Sequence, residues 1–192
     1  MRQPLEDRRV QIARAGGNLT YPADFLLICA ANPCPCGFYP DRNRCTCTEP
    51  QIHHYMGKIS GPIMDRIDLW VELQAVDYDG LTGTEEESSA VIRERVMAAH
   101  ERQKHRFQGT AYRFNADIGV SDLEAYCKLG KGEKALMGQL FESLQLSARA
   151  YHRILKVART IADLEGVDKI GEKHLYEAAG YRPGDNTLQG KA

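Results

Sequence analysis

Four of the six cysteines fall within fourteen residues, as Cys34-Pro35-Cys36-Gly37 and Cys45-Thr46-Cys47, directly after the apolar run Phe25 to Ala31 and the pair Asn32-Pro33. An apolar run without alternation predicts a central strand covered on both faces by helices. A polar residue at the end of a buried strand, followed by a loop dense in Pro, Gly, Asp and Asn, is where an α/β protein places its chemistry. The pairing of run and loop therefore predicts an α/β layer with a functional loop over residues 33–50.

The 192 residues hold one ordinary domain or two small ones. A net charge of −1 exerts no global pull toward nucleic acid or membranes, so any such contact must come from a local patch. No apolar run reaches the roughly 18 residues of a membrane span, and the first residues carry no apolar signal segment. A cytoplasmic protein is expected. In that setting clustered cysteines are metal ligands or free thiols before they are disulfides.

Residues 10–14 and 18–21 flank Ala15-Gly16-Gly17 and predict a β-hairpin. Asp68 to Val76 reads as a second, partly alternating strand. From residue 84 the pattern is helical. Thr84-Glu85-Glu86-Glu87 predicts a capped helix running acidic to basic toward Arg106, in the sense that suits the helix dipole. Ser121-Asp122-Leu123-Glu124 predicts a second capping box, with Val120 as its hydrophobic staple. Gly130, Gly166 and Gly180 read as helix stops. In the longest helix Tyr151, Ile154, Leu155, Ala158, Ile161 and Ala162 form one apolar stripe, with Arg149, Arg153 and Lys156 on another face. The domains expected are an α/β piece over 1–83 and an all-helical piece over 84–192.

Cys34, Cys36, Cys45 and Cys47 offer four thiolates to one tetrahedral, structural Zn²⁺, which would leave no open coordination position. Cys-x-Cys is a tighter chelate than Cys-x-x-Cys, and free thiols or a disulfide remain open alternatives. His53 or His54 can stand in for one cysteine, but on a helix after Pro50 both read as surface residues. Cys29 and Cys127, in apolar-flanked segments, read as core. On position alone, Asn32 is equally well read as a turn former before proline or as an amide facing a ligand. By the same reasoning Arg66 is a local ion pair with Asp65 or Asp68, and Arg149 part of a solvated basic face.

Three strings change those readings: Ala30-Ala31-Asn32-Pro33-Cys34-Pro35-Cys36-Gly37, Ile59-Ser60-Gly61-Pro62-Ile63-Met64-Asp65-Arg66-Ile67-Asp68-Leu69, and Leu146 through Leu164 with Ser147-Ala148-Arg149-Ala150-Tyr151-His152-Arg153. In this order, over nearly the whole chain, they resemble the magnesium-chelatase-like AAA+ ATPases of the ComM/YifB type. Leu5-Glu6-Asp7 is similar to the segment after that family's Walker B strand. The fold the resemblance implies is α/β plus α: the C-terminal part of an AAA+ P-loop NTPase core followed by an all-helical lid domain. It implies sensor 1 at Asn32, an arginine finger acting in trans at Arg66, and sensor 2 at Arg149. Arg153, one turn on, is the alternative nucleotide-contacting residue. ATP and Mg²⁺ are the implied cofactors. A homo-oligomeric ring, taken as a hexamer, is the implied assembly, and DNA the implied substrate, through helicase or branch-migration work in uptake and recombination.

The chain departs from the family in one respect. No G-x-x-x-x-G-K-[ST] loop occurs, since Gly57-Lys58 is followed by Ile59 and Gly130-Lys131 by Gly132, and no acidic Walker B strand is present. The chain therefore reads as the sensing end of a longer ATPase, inactive alone. Two other functions fit the same features. One is the motor subunit of a porphyrin Mg²⁺ chelatase, and the other is a non-enzymatic zinc-binding interaction module, which has no use for both Arg66 and Arg149. The hairpin, with Arg8, Arg9 and Arg14, resembles the pore hairpins that grip nucleic acid in related motors. Glu6, Asp7 and Asp24 dilute its charge, so a structural hairpin is an equal reading.

Overall fold

The computed structural model describes residues 2–14, 17–59, 61–73 and 87–182. These fall into two compact units, one ending at Ile67 and one beginning at Asp68. Among the described residues the architecture is helical with a single two-stranded antiparallel sheet.

In the first unit a short helix α1 (Arg2–Asp7) leads into the predicted hairpin, β1 (Arg9–Arg14) and β2 (Gly17–Pro22). Val10 stands opposite Tyr21 and Ile12 opposite Leu19. Two strands alone cannot cover either face, and Leu19 and Tyr21 remain half exposed. The expected central strand does not form. Residues 23–32 are irregular, and Leu26 and Ile28 are 84% and 82% exposed. The reason is pairing: a strand exists through the ladders on its flanks, and the hairpin is the sole ladder among the described residues. The second expected strand fails for the same reason over 68–73, where Leu69, Val71 and Leu73 are exposed, while residues 74–76 lie outside the described residues. Beyond the cysteine loop, α2 (Glu49–Met56) opens after Thr48, whose N–H donates to Gln51 Oε1 at 2.9 Å, and α3 (Gly61–Met64) follows.

The second unit is a helical domain. Its first helix, α4 (Ser89–Arg106), starts later than the sequence suggests: Ser88 is the cap, its hydroxyl accepting from Val91 N–H, and Thr84 to Glu86 lie outside the described residues. Turns at Asn115–Asp117 and Val120–Asp122 precede α5 (Leu123–Tyr126). The capping box expected at Ser121 is absent, because Ser121 falls inside the 120–122 turn and α5 starts after Asp122, whose carboxylate accepts from Tyr112 Oη; Val120, the expected staple, is 64% exposed. Gly130 is the N-cap of α6 (Lys131–Ser143) and not a stop. Then come α7 (Ala148–Glu165) and α8 (Glu172–Gly180). Ser147 caps α7 by accepting from Ala150 N–H at 3.1 Å, and Gly166 ends it at φ +84°, a left-handed conformation that costs a side-chain-bearing residue about 1 kcal/mol or more.

The apolar stripe of α7 is the spine of this unit. Ile154, Leu155, Ala158 and Ala162 are buried, the first three packed with Phe107, Ile118, Leu123, Met137 and Leu175 from the surrounding elements. Beside them lies a buried polar cluster absent from the sequence reading. Asp163 accepts from Arg106 through two N–H groups, from Asn115 Nδ2 at 2.8 Å, and pairs with Arg159 at 3.1 Å. Gln103 Oε1 accepts from Asn115 N–H at 2.9 Å, and Arg159 also donates to the carbonyls of Val167 and Asp168. One carboxylate thus ties α4, the 115–117 turn and α7 together.

Two predictions follow from this arrangement. Asp163→Ala leaves two guanidinium groups without their buried counter-charge and should destabilise the domain by about 3–5 kcal/mol in urea unfolding followed by circular dichroism. At the α7–α8 junction, hydrogen bonds from His174 and then Lys173 hold the Glu165 carboxyl below its usual range. A depressed carboxylate contributes stability above its unfolded pKa of about 4.3, lost as pH falls through the lower folded value. The stability gap between the native chain and Glu165→Gln should therefore be full at neutral pH and close under acid.

Candidate functional site

The sequence-predicted site residues divide between the two units: Asn32, the four loop cysteines and Arg66 in the first, Arg149 and Arg153 in the second. Each group is built by its own local structure.

Asn32 is exposed at the end of the irregular run, where Pro33 turns the chain into the cysteine loop. The turn that follows folds back over it. Gly37 N–H donates to Cys34 O at 3.1 Å, and Gly37 takes φ +85°. A Cβ on Gly37 would lie 3.7 Å from Asn32 Nδ2, so the turn rests against the Asn32 amide. Within the loop Cys34 Sγ lies 3.3 Å from Cys36 Sγ and 3.8 Å from Cys45 Sγ, with Cys36 and Cys45 3.6 Å apart. Adding Cys47, all four sulfurs lie within 4.8 Å of one another, the one such group of His, Cys, Asp or Glu among the described residues.

The sulfurs are not equivalent. The Phe38 backbone N–H, with further help from Cys34, Thr46 and Cys47, brings the Cys36 thiol down to about 5. Cys47 is pulled down by the Cys36 backbone N–H, but burial and the neighbouring thiols outweigh it and leave Cys47 raised to about 11. Cys36 and Cys47 line an open cavity of about 430 Å³ together with Gln51, His54, Tyr55 and Lys58. His53 and His54 are exposed on α2, as expected for surface residues, and neither belongs to the sulfur cluster.

Arg66 follows α3, with its side chain only 9% exposed. It pairs with Glu6 of α1 at 2.7 Å. Beside the local ion pair that the sequence suggests, the structure thus gives Arg66 a carboxylate sixty residues away in sequence. Asp68 instead binds Arg153 on α7. Arg149 is exposed on the first turn of α7. Lys156, on the same side of that helix, donates to Ala116 O at 3.0 Å. On the hairpin, Arg8 pairs with Asp24 at 3.5 Å. The buried charges missed by the sequence reading did leave one signal: Arg159 and Asp163 stand four apart on α7 beside Ala158 and Ala162, a charged pair set into an apolar stripe.

Of the two cysteines outside the loop, Cys127 is buried as expected, and burial pushes its thiol up to about 11. Cys29 is exposed, a correction that follows from the missing strand around it. Under native conditions at pH 8, iodoacetamide should modify Cys29 promptly and leave Cys127 untouched until the chain is unfolded, as read by peptide mass mapping.

Comparison with known proteins matches the chain in two stretches. The family model described as magnesium chelatase, subunit ChlI C-terminal, matches residues 86–182, and that described as magnesium chelatase, subunit ChlI, matches residues 1–81. Competence protein ComM of Haemophilus influenzae is 41% identical over 191 residues, 98% of this chain and 36% of the relative. YifB of Salmonella typhimurium is 40% identical and YifB of Escherichia coli 39%, each over 98% of this chain and 37% of the relative. The chain thus spans little more than a third of the length of these relatives. With both halves matched in order, and with the asparagine, cysteine-loop and arginine strings in place, the chain belongs to the magnesium-chelatase-like family, in its ComM/YifB type.

Proposed function

We propose that this chain is the sensor and lid end of an AAA+ ATPase, and that the intact protein couples ATP hydrolysis to the remodelling of DNA in the cytoplasm. The observation that carries the reading is the 41% identity to a competence protein across nearly the whole chain. Residues 1–83 then form the end of the AAA+ α/β core and 84–192 its helical lid. The apolar segments left unpaired at Phe25–Ala31 and Leu69–Leu73 suit that role, since both are strand-like in composition and would gain ladders from a longer core.

In this reading the chain's residues sense the nucleotide and do not grip it, because no Walker A loop lies within the 192 residues. ATP with Mg²⁺, bound between neighbouring subunits of a hexameric ring, supplies the phosphoryl chemistry. Asn32, an uncharged amide at the end of the sensor segment, orients the attacking water. Arg66 serves the adjacent subunit, where its planar guanidinium stabilises charge on the transferring group. For that its side chain must leave Glu6, exchanging one carboxylate for phosphoryl oxygens of the same fork-like geometry. Arg149 reports on the nucleotide from the exposed first turn of the lid helix, with Arg153 one turn behind it.

The test is ATP turnover by the intact protein carrying Arg66→Ala. Loss of a trans finger should lower kcat by about 10³-fold or more while ATP binding persists. Mixing these subunits with Asn32→Ala subunits should recover part of the activity, because each supplies what the other lacks. Turnover at the native rate by the Arg66→Ala protein would remove the finger. Binding to branched DNA should weaken steeply with salt, as phosphate contacts require. Active ATP hydrolysis with no DNA binding at low salt would reject DNA remodelling in favour of the chelatase motor.

A further inference from the structure

We propose that Cys34, Cys36, Cys45 and Cys47 bind one zinc ion as a closed tetrathiolate centre, and that this ion folds residues 34–47. The first argument is metric. Zinc binds four thiolates tetrahedrally at about 2.3 Å, which sets neighbouring sulfurs about 3.8 Å apart. The separations among Cys34, Cys36 and Cys45, 3.3, 3.6 and 3.8 Å, approach that edge, and the fourth sulfur lies within 4.8 Å of the others. All four are free thiols, drawn from two ends of a loop with eight residues between the pairs.

The second argument is what else holds the loop. Residues 33–48 contain no helix or strand. Among the described residues of the first unit only Cys34 and Ile52 are buried, so hydrophobic burial contributes little there. Chains without a core of their own are organised by cross-links or metals, and a site absent from the unfolded chain makes its binding free energy into folding free energy. Cys34, at the start of its loop, is nevertheless fully buried, which is the place of a ligand and not of a surface thiol.

The third argument is the shell around the sulfurs. Tyr39 N–H donates to Cys34 Sγ at 3.5 Å, and the left-handed Gly37 turns the backbone so that this donor faces the sulfur. Such N–H contacts offset thiolate charge and fix ligand orientation. Arg42 stacks on Tyr39 and Arg44 on Phe38, placing two cations on the same loop as the anionic centre. Four sulfurs suit zinc or iron. Cys36 and Cys47 open onto the cavity beside His54 and Lys58, and a redox-inert ion tolerates that exposure. Because the Gly37 turn rests on Asn32, the same ion would also set the position of the Asn32 amide.

The experiment is metal analysis of the whole 192-residue chain, purified under reducing conditions without added metal. About one zinc per chain is expected, released in step with the titration of four thiols by a mercurial. Replacement by Co²⁺ should give the visible absorption of a tetrahedral thiolate site. Cys36→Ser and Cys47→Ser should each lose most of the metal while the far-ultraviolet helical signal, which comes mainly from the second unit, is retained. A reduced chain that holds no zinc and gives no cobalt–thiolate bands on titration would overturn the proposal. Iron found in place of zinc would overturn the assignment of the metal. Because mercurial release is read on the unmutated chain, the result stands even if a serine variant fails to fold.

Discussion

The Asp163 carboxylate, fully enclosed among helices, is the point on which the second unit turns. It takes hydrogen bonds from Arg106 on α4 and Asn115 in the following turn, and pairs with Arg159 on its own helix. A buried charge is tolerated only when it is matched and hydrogen-bonded, so each of these partners is constrained in turn. Arg159 carries the constraint onward to the carbonyls of Val167 and Asp168, which close the end of α7. Gln103 extends it along α4 through the Asn115 backbone. The apolar stripe supplies the driving force for packing these helices, and the polar cluster selects the arrangement in which they pack.

The same electrostatic logic governs the candidate functional arginines. Arg66 and Arg153 are largely covered, each beside a carboxylate, Glu6 and Asp68 respectively. Both sit in ion pairs that an incoming phosphate group is chemically equipped to replace, because carboxylate and phosphate present oxygens to a guanidinium in similar geometry. Arg149 is exposed at the start of α7. Among its described residues the first unit lacks an interior of comparable weight. Its hairpin is open on both faces, its longest apolar segment lies in solvent, and its densest feature is a knot of sulfur atoms.

Much of the helical unit was legible in the sequence because its signals are local. The α7 stripe, the Ser147 cap and the Gly166 stop each depend on residues within a few turns of one another, and all three appear where periodicity and capping chemistry put them. The failures are equally instructive. Ser121 and Glu124 carry the residues of a capping box, but Ser121 falls inside the 120–122 turn and the helix starts after Asp122. Gly130 begins a helix instead of ending one, since glycine suits either terminus and composition alone cannot choose. The run Phe25–Ala31 has the composition of a central strand, yet strand formation is a property of neighbours, and its own side chains cannot provide them.

For the candidate site, the sequence by itself determined which residues are the candidates: the asparagine before the proline, two Cys-x-Cys pairs, and the arginines in their long strings. Short-range spacing was enough for the cysteine loop, because a metal loop is written in contiguous residues, while the asparagine and the arginines were singled out by the resemblance of their strings to the family. Only the tertiary structure decided that four sulfurs from both ends of the loop meet within 4.8 Å, that Arg66 finds Glu6 and Asp68 finds Arg153, and that Asp163 lies at the heart of the helical unit. Those pairings join residues 9 to 85 positions apart. No local propensity encodes such distant choices. They are settled by which burial of charge and apolar surface the whole chain can satisfy at once.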